Sequence, residues 1–288
     1  MACCHGRFVW YELLTTDTAA ARAFYAAVVG WGAQDASTPD LAYGLFTLGS
    51  VPLGGLMELP EEARKMGATP RWLGYVDVDD VDAAADRVRR LGGAVLVAPT
   101  DSNIGRISIV ADPQRATLAL VGGLSPGLWR SGDLAGPGRV GWNELLAADS
   151  GPAFHFYGEL FGWQKTDAEI GATDRYLSFA AGGQTIGGMF TKAPAEPAPF
   201  WHYYFNVEDL DLAIARVKAG GGAVFEGPLE APGNSWIVRC IDPQRAIFAL
   251  QGKRSPENVR RAPGSEVAWS TEWSGISSRG RLITKPRG

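Results

Sequence analysis

The stretch Arg139-Val-Gly-Trp-Asn-Glu-Leu-Leu-Ala-Ala-Asp-Ser-Gly-Pro-Ala-Phe-His-Phe-Tyr-Gly-Glu-Leu-Phe-Gly-Trp163 decides the fold, because nearly the same pattern runs from Val9 to Trp31. At a constant offset of 132, Trp10, Glu12, Leu13, Leu14, Asp17, Phe24, Tyr25, Gly30 and Trp31 return as Trp142, Glu144, Leu145, Leu146, Asp149, Phe156, Tyr157, Gly162 and Trp163. A solenoid repeats every 20 to 50 residues or so, and this period is far longer. The chain is a duplicated domain. Pro199 to Leu210 likewise answers Pro70 to Val81, and Asp242-Pro-Gln-Arg-Ala246 repeats Asp112-Pro-Gln-Arg-Ala116.

Working outward, Phe8 to Thr15 reads as a strand, with Asp17 and Thr18 as a helix cap and Ala20, Phe24 and Val28 at helical spacing before Gly30. Tyr43 to Leu48 and Val51 to Leu59 read as strands joined by a tight turn, and Pro60 to Pro70 as a charged loop. Trp72 to Val78 is a further strand. Asp79 and Asp80 cap a helix that Gly92 and Gly93 end, and Ala94 to Ala98, Gly105 to Ala111 and Ala116 to Val121 are strands. Each half thus reads strand, helix, three strands, twice over.

Residues 1–122 form the first expected domain, the Gly- and Pro-rich 123–138 a linker, 139–252 the second domain and 253–288 a basic tail. That tail holds eight Lys or Arg against three acids, a balance of +5, which leaves −9 for the body. An acidic body argues against nucleic acid as the partner, since phosphate binding needs clustered cations. No apolar run reaches the roughly 18 residues of a membrane span, and no secretory signal pattern opens the chain, so a cytoplasmic protein without a membrane partner is expected. The three cysteines, at positions 3, 4 and 240, suggest no disulfide framework; Cys3, Cys4 and His5 offer a minor metal alternative to a frayed terminus.

The strand ending in Asp, the helix ending in Phe-Tyr with Gly-Trp after it, and the later capped helix, Gly-Gly and Asp-Pro turn resemble the vicinal oxygen chelate superfamily. This is the group of glyoxalase I, bleomycin-resistance proteins, fosfomycin-resistance enzymes and extradiol dioxygenases. The resemblance spans about residues 8 to 122 and 139 to 252. It implies an α+β fold of two tandem domains, each pairing two βαβββ modules in a curled sheet with a concave cavity.

In that family the cavity typically holds a divalent metal. The positions matching its first and last ligands are Trp10 and Ala119 in one half, Trp142 and Ala249 in the other, none of which binds metal. The strand opening the second module gives Leu73 in half one and His202 in half two, and the fourth-strand site falls near Glu58 and Thr191. A hard or borderline cation wants three or four oxygen or imidazole donors. No cofactor is therefore expected, with a divalent metal, Glu144 substituting as a ligand, as the lesser alternative.

Because alternate residues of a strand share a face, the same resemblance places Trp142, Glu144, His202, Tyr204, Asn206 and Gln251 in the second cavity and Trp10, Glu12, Leu73 and Tyr75 in the first. An inward carboxylate must find partners or shift its pKa upward. Glu144 and Glu12 can be structural acceptors; alternatively Glu144 is a general base, with His202 as its partner or a general acid and Tyr204 completing the set. Gly54-Gly55 and Gly187-Gly188 read as bulges or close backbone approaches, not phosphate loops.

The first expectation is a metal-free binder of a small aromatic or otherwise apolar organic molecule, with Trp10, Glu12, Tyr75, Trp142, Asn206 and Gln251 as contacts. The second is a lyase, isomerase, hydrolase or oxygenase using Glu144, His202 and Tyr204. A third is an interaction protein with vestigial cavities and a basic tail as its contact. A monomer or homodimer is expected, the duplication supplying pairing internally.

Overall fold

The computed structural model describes residues 4–125, 128, 135–166, 176–192, 198–256 and 258. The basic tail beyond 258 and Cys3 lie outside the described residues. In the first half β1 (Phe8–Thr15) leads into α1 (Thr18–Val29), β2 (Gly32–Asp35), β3 (Gly44–Leu48), β4 (Val51–Glu58) and the short α2 (Glu61–Lys65). It continues with β5 (Arg71–Asp77), α3 (Val81–Arg90), β6 (Ala94–Ser102), β7 (Gly105–Ala111) and β8 (Thr117–Gly122). The second half repeats this as β9 (Val140–Ala147), α4 (Ser150–Phe161), β10 (Gln164–Thr166), β11 (Tyr176–Ala181) and β12 (Gln184–Thr191). Then follow β13 (Phe200–Asp209), α5 (Leu210–Ala219), β14 (Ala223–Ala231), β15 (Ser235–Ile241) and β16 (Ile247–Lys253).

Each half is one eight-stranded mixed sheet, ordered β2-β3-β4-β1-β5-β8-β7-β6 and β10-β11-β12-β9-β13-β16-β15-β14. The α+β tandem fold implied by the resemblance is the fold observed. Two sequence readings change. The charged loop before Pro70 contains α2, whose Glu61 and Glu62 sit in the first turn and Arg64 and Lys65 in the last, a charge order that favours a helix dipole. The second strand of the first module is β2, directly after α1, fully exposed and without an apolar alternation to reveal it.

Local chemistry explains the repeat. Asp17 and Asp149 cap α1 and α4 through backbone N–H groups, and Gly30 and Gly162 end them at φ of 85° and 72°, the left-handed region that glycine enters without a Cβ penalty. Buried Phe24, Tyr25, Phe156 and Tyr157 point from these helices into one core that both halves share, together with Trp31, Trp72, Trp163, Trp201 and Trp236. Trp72, Trp201 and Trp236 are therefore packing residues on the convex side rather than cavity walls. His155, on the outer side of α4, is exposed.

The halves are locked reciprocally. Tyr25 Oη donates to Asp242 Oδ2 and Tyr157 Oη donates to Asp112 Oδ2, both at 3.1 Å. The other oxygen of each Asp accepts from backbone N–H groups of its own Asp-Pro-Gln-Arg turn, where Arg115 and Arg245 adopt φ near 80°. Trp31 Nε1 donates to Gly138 O at 2.8 Å, and Trp163 Nε1 donates to Gly6 O at 2.6 Å. Where the pseudo-symmetry brings β5 against β13, Gly74 faces Tyr203: its N–H donates to the phenol oxygen at 2.7 Å, and any Cβ there would strike the ring. The convex faces are thus spent on each other, which leaves the two concave faces for ligands. No described helix is long and apolar enough to cross a membrane.

Candidate functional site

The second concave face is built on the pair β9 and β13, whose antiparallel register sets Glu144 opposite His202 and Trp142 opposite Tyr204. Side chains opposite each other in such a pair share a face, so the carboxylate and the imidazole are direct neighbours. Glu144 is fully buried. Its Oε2 accepts from Tyr204 Oη at 2.6 Å and from Arg239 Nη2 at 2.7 Å. Arg239, on β15, also donates from Nε to Tyr204 Oη at 3.0 Å and pairs through Nη1 with Glu226 of β14. One guanidinium thus holds two carboxylates and a phenol, a forked geometry that arginine alone among side chains supplies.

Tyr176 closes the other side of Glu144. Its hydroxyl accepts from Trp142 Nε1 at 2.9 Å, and the proximity of Glu144 adds to the burial that raises its pKa well above the ordinary phenol value. Gly188 pairs with Glu144 across β12 and β9, and a Cβ on Gly188 would overlap the Tyr176 hydroxyl. Gly55 stands in the same relation to Glu12 and Tyr43. Gly187, in turn, lies against the Asn143 carbonyl. The glycine pairs are therefore sites of close approach, cut to admit a phenol beside a carboxylate.

His202 is fully buried, and neither Nδ1 nor Nε2 has a hydrogen-bond partner. Its ring meets Phe200 edge-on at 4.8 Å, with Tyr204 and Phe225 farther out. Burial first, and then the charge of Arg239, hold its pKa well below the usual imidazole value, so the ring is neutral near pH 7. The Glu144 carboxylate, besides Tyr204 and Arg239, has a hydrogen bond with the Tyr176 hydroxyl. The apolar walls are Trp142, Tyr176, Leu229, Ile237 and Ala249, packed around Tyr204.

The first concave face has the same skeleton and a different content. Glu12 Oε1 accepts from Tyr43 Oη and Oε2 from Tyr75 Oη, both at 2.7 Å, and Trp10 Nε1 donates to Tyr43 Oη at 3.3 Å. Leu73 stands at the His202 position. Ile109 stands at the Arg239 position, each pairing with the alanine of its last strand. Val9, Trp10, Leu45, Ile104, Ala119 and Val121 fill the rest. Burial still raises the Glu12 pKa, against the lowering effect of the two tyrosines.

The residues singled out in the sequence therefore divide. Glu144, His202, Tyr204 and Trp142 converge on one face, and Trp10, Glu12 and Tyr75 on the other. Asn206 sits at the rim, where its amide donates to Gly136 O at 3.4 Å and abuts Gly141, so it braces the linker; Gln251 pairs beside it, half-buried. Arg239, Glu226, Tyr43 and Tyr176 escaped the sequence reading. A lone arginine in the apolar run Trp236-Ile-Val-Arg-Cys-Ile241 was the available signal for the first, since a buried cation needs an anion.

A divalent metal fits this donor set poorly. Glu144 and His202 supply two candidate donors, the first already bound to a guanidinium, and among the described residues no three His, Cys, Asp or Glu side chains come together. Trp142 and Ala249 occupy the positions implied for the remaining ligands.

A sequence model of the Glyoxalase/Bleomycin resistance protein/Dioxygenase superfamily matches residues 7–120 and 139–248. A protein of Mycobacterium tuberculosis (strain CDC 1551 / Oshkosh) that carries the provisional label glyoxylase CFP32 is 33% identical over 250 residues, covering 84% of this chain and 92% of its own. The anthracycline biosynthesis protein DnrV of Streptomyces peucetius is 29% identical over 268 residues, covering 85% and 92%. Among solved structures, the Mn(II)-bound glyoxalase of Novosphingobium aromaticivorans superposes with a TM-score of 0.59 at 17% identity, covering 87% of this chain and 82% of that one. A catechol 2,3-dioxygenase superposes with a TM-score of 0.60 at 13% identity, covering 87% and 88%.

Proposed function

The chain belongs to the Glyoxalase/Bleomycin resistance protein/Dioxygenase superfamily, and on that premise we propose that it binds a small, largely apolar organic molecule on its second concave face without a family-type metal. The observation that carries this reading is His202, fully buried with both ring nitrogens unbonded. Buried polar atoms are almost always satisfied in folded proteins, and the exceptions mark sites where something else supplies the partner. An aromatic wall with a few convergent polar groups is also the usual make-up of a small-molecule site. The relatives labelled glyoxylase and anthracycline biosynthesis are both named for small-molecule chemistry, which supports the same class. The mutual burial of the convex faces supports a monomer.

The test is a panel of aromatic compounds titrated against the full chain, followed by Trp142 fluorescence and by thermal shift, beside His202→Ala and Trp142→Phe. A hit whose thermal shift disappears in His202→Ala, and whose fluorescence change disappears in Trp142→Phe, is expected. A hit unaffected by either substitution would place the ligand elsewhere and overturn the reading. A stoichiometric divalent ion found by elemental mass spectrometry, and lost in His202→Ala, would overturn its metal-free part.

One observation favours an enzyme as the second reading: a neutral imidazole and a carboxylate stand side by side in an apolar site. In that case His202 accepts the proton, and Glu144, fixed by Arg239, stabilises the charge that forms. Turnover of a bound compound that vanishes in His202→Ala distinguishes this from binding alone.

A further inference from the structure

Where the two halves meet, residues that correspond in the repeat touch one another, as a two-fold relation requires. Two of these pairs are unlike. Tyr11 corresponds to Asn143 at the offset of 132, and in the run that answers Pro70 to Val81 the residue corresponding to Gly74 is Tyr203. Tyr11 Oη donates to Asn143 Oδ1 at 2.8 Å, and the Asn143 amide donates onward to Ile186 O at 2.8 Å. The Gly74 N–H donates to Tyr203 Oη at 2.7 Å, and a Cβ on Gly74 would stand 2.7 Å from the Tyr203 ring. That buried ring meets Tyr11 edge-on at 5.2 Å and Phe8 edge-on at 6.0 Å, so it is a knob seated among first-half residues. The second half offers no such seat, since Val140, Asn143 and Tyr203 itself stand at the positions of Phe8, Tyr11 and Gly74.

We infer that these unlike pairs make the shared convex face selective: a first half fits a second half, and neither fits another copy of itself. Two first halves would set Gly74 against Gly74, leaving the volume of a tyrosine ring empty and the glycine N–H groups without their phenol. Two second halves would drive two Tyr203 rings into the space of one. A void forfeits the contacts of its lining, and overpacking forces side chains and backbone out of place. Selectivity of this kind comes from the partner that clashes as much as from the one that fits. The other contacts between the halves lack it. Tyr25 with Asp242 and Tyr157 with Asp112 read the same in either direction, as do Trp31 with Gly138 and Trp163 with Gly6, so a self-pair would form them too. Those locks hold two halves together, and the unlike pairs decide which two. The partner this face accepts is therefore the opposite half, from its own chain or from a second copy of the chain by reciprocal exchange.

Single substitutions in the full chain imitate the excluded pairings. Gly74→Tyr sets tyrosine against tyrosine, Tyr203→Gly sets glycine against glycine, and the double variant Gly74→Tyr/Tyr203→Gly moves the knob to the opposite half. In thermal denaturation each single variant should melt roughly 5 °C or more below the parent, and the double variant should recover about a third or more of the summed loss. Single variants that melt with the parent, or a double variant that recovers less, including one whose losses simply add, would overturn the selectivity. Should Gly74→Tyr fail to fold, Gly74→Ala reads the same contact with a smaller group. Its methyl should lower the melting temperature in the parent and do so far less in the Tyr203→Gly background, where the ring it strikes is gone. An equal loss in both backgrounds would show that Tyr203 is not what keeps Gly74 bare, and the inference falls.

Discussion

The two concave faces descend from one sequence and differ in what is buried around the same carboxylate. In the first, Glu12 is closed off by two phenols, and every polar atom nearby is matched. In the second, a guanidinium joins the two phenols, an imidazole stands where a leucine was, and both ring nitrogens of that imidazole are left open. A carboxylate satisfied by two tyrosines is a structural brace. The same carboxylate carrying Arg239 stands opposite an imidazole whose nitrogens have no partner. Inward glutamate is thus a property of the fold, and function lies in what surrounds it.

The contrast is broken most severely by Arg239→Ala, which strips two carboxylates of their partner. Removing one side of a buried pair costs about 3–5 kcal/mol, so urea denaturation should show a loss of that order, whereas Ile109→Ala on the other face should cost much less. A variant that loses under about 1 kcal/mol would mean that water, and not Arg239, satisfies Glu144.

The next test exchanges the two faces. His202→Leu removes a buried ring with no partners and should leave stability unchanged or raise it by about 1–3 kcal/mol, while Leu73→His should lower it by a similar amount. Equal losses in both variants would show His202 to be an ordinary satisfied core residue.

Gly188→Ala and Gly55→Ala probe what the faces share. Each Cβ displaces a tyrosine hydroxyl from its carboxylate, and each should cost about 1–3 kcal/mol, with little difference between halves. Thermal denaturation of both variants compares them directly.

The smallest difference is expected on the convex side. Burial pushes the Asp242 carboxyl up to about 6 and raises that of Asp112, so the folded state favours the protonated form of both. The stability this contributes is complete below the unfolded value of about 3.9 and is lost as pH rises through the folded value. Asp242→Asn and Asp112→Asn should each flatten the decline of stability between about pH 4 and 7 relative to the parent, and to a similar degree. A decline unchanged in both variants would assign it to other groups.

How much of this was legible in the sequence depends on whether the signal was periodic. The offset between Trp10 and Trp142 revealed the duplication, and alternation along Trp142-Asn-Glu144 and His202-Tyr-Tyr204 put the right side chains on the concave face. Asp17, Gly30 and their copies announced the helix ends by capping chemistry. What could not be read were contacts between strands far apart in sequence. Arg239 meets Glu144 across 95 residues, and Tyr176 belongs to a strand whose register no motif fixes. Asn206 carried the right alternation, but it lies at the strand end where the linker returns, and its amide was taken by Gly136. β2 has neither apolar alternation nor turn signal, because it is an exposed edge.

The reciprocal tryptophan and tyrosine locks between the halves have a consequence for heredity. In a pair of identical chains joined by such contacts, every substitution appears twice, and an imidazole introduced in one cavity must be tolerated in the other. With the copies carried on one polypeptide, the shared core no longer depends on concentration, and each cavity can mutate alone. Covalent fusion is therefore what permits a fully braced copy to persist beside one that holds an unpartnered imidazole, the first safeguarding the fold while the second is free to change.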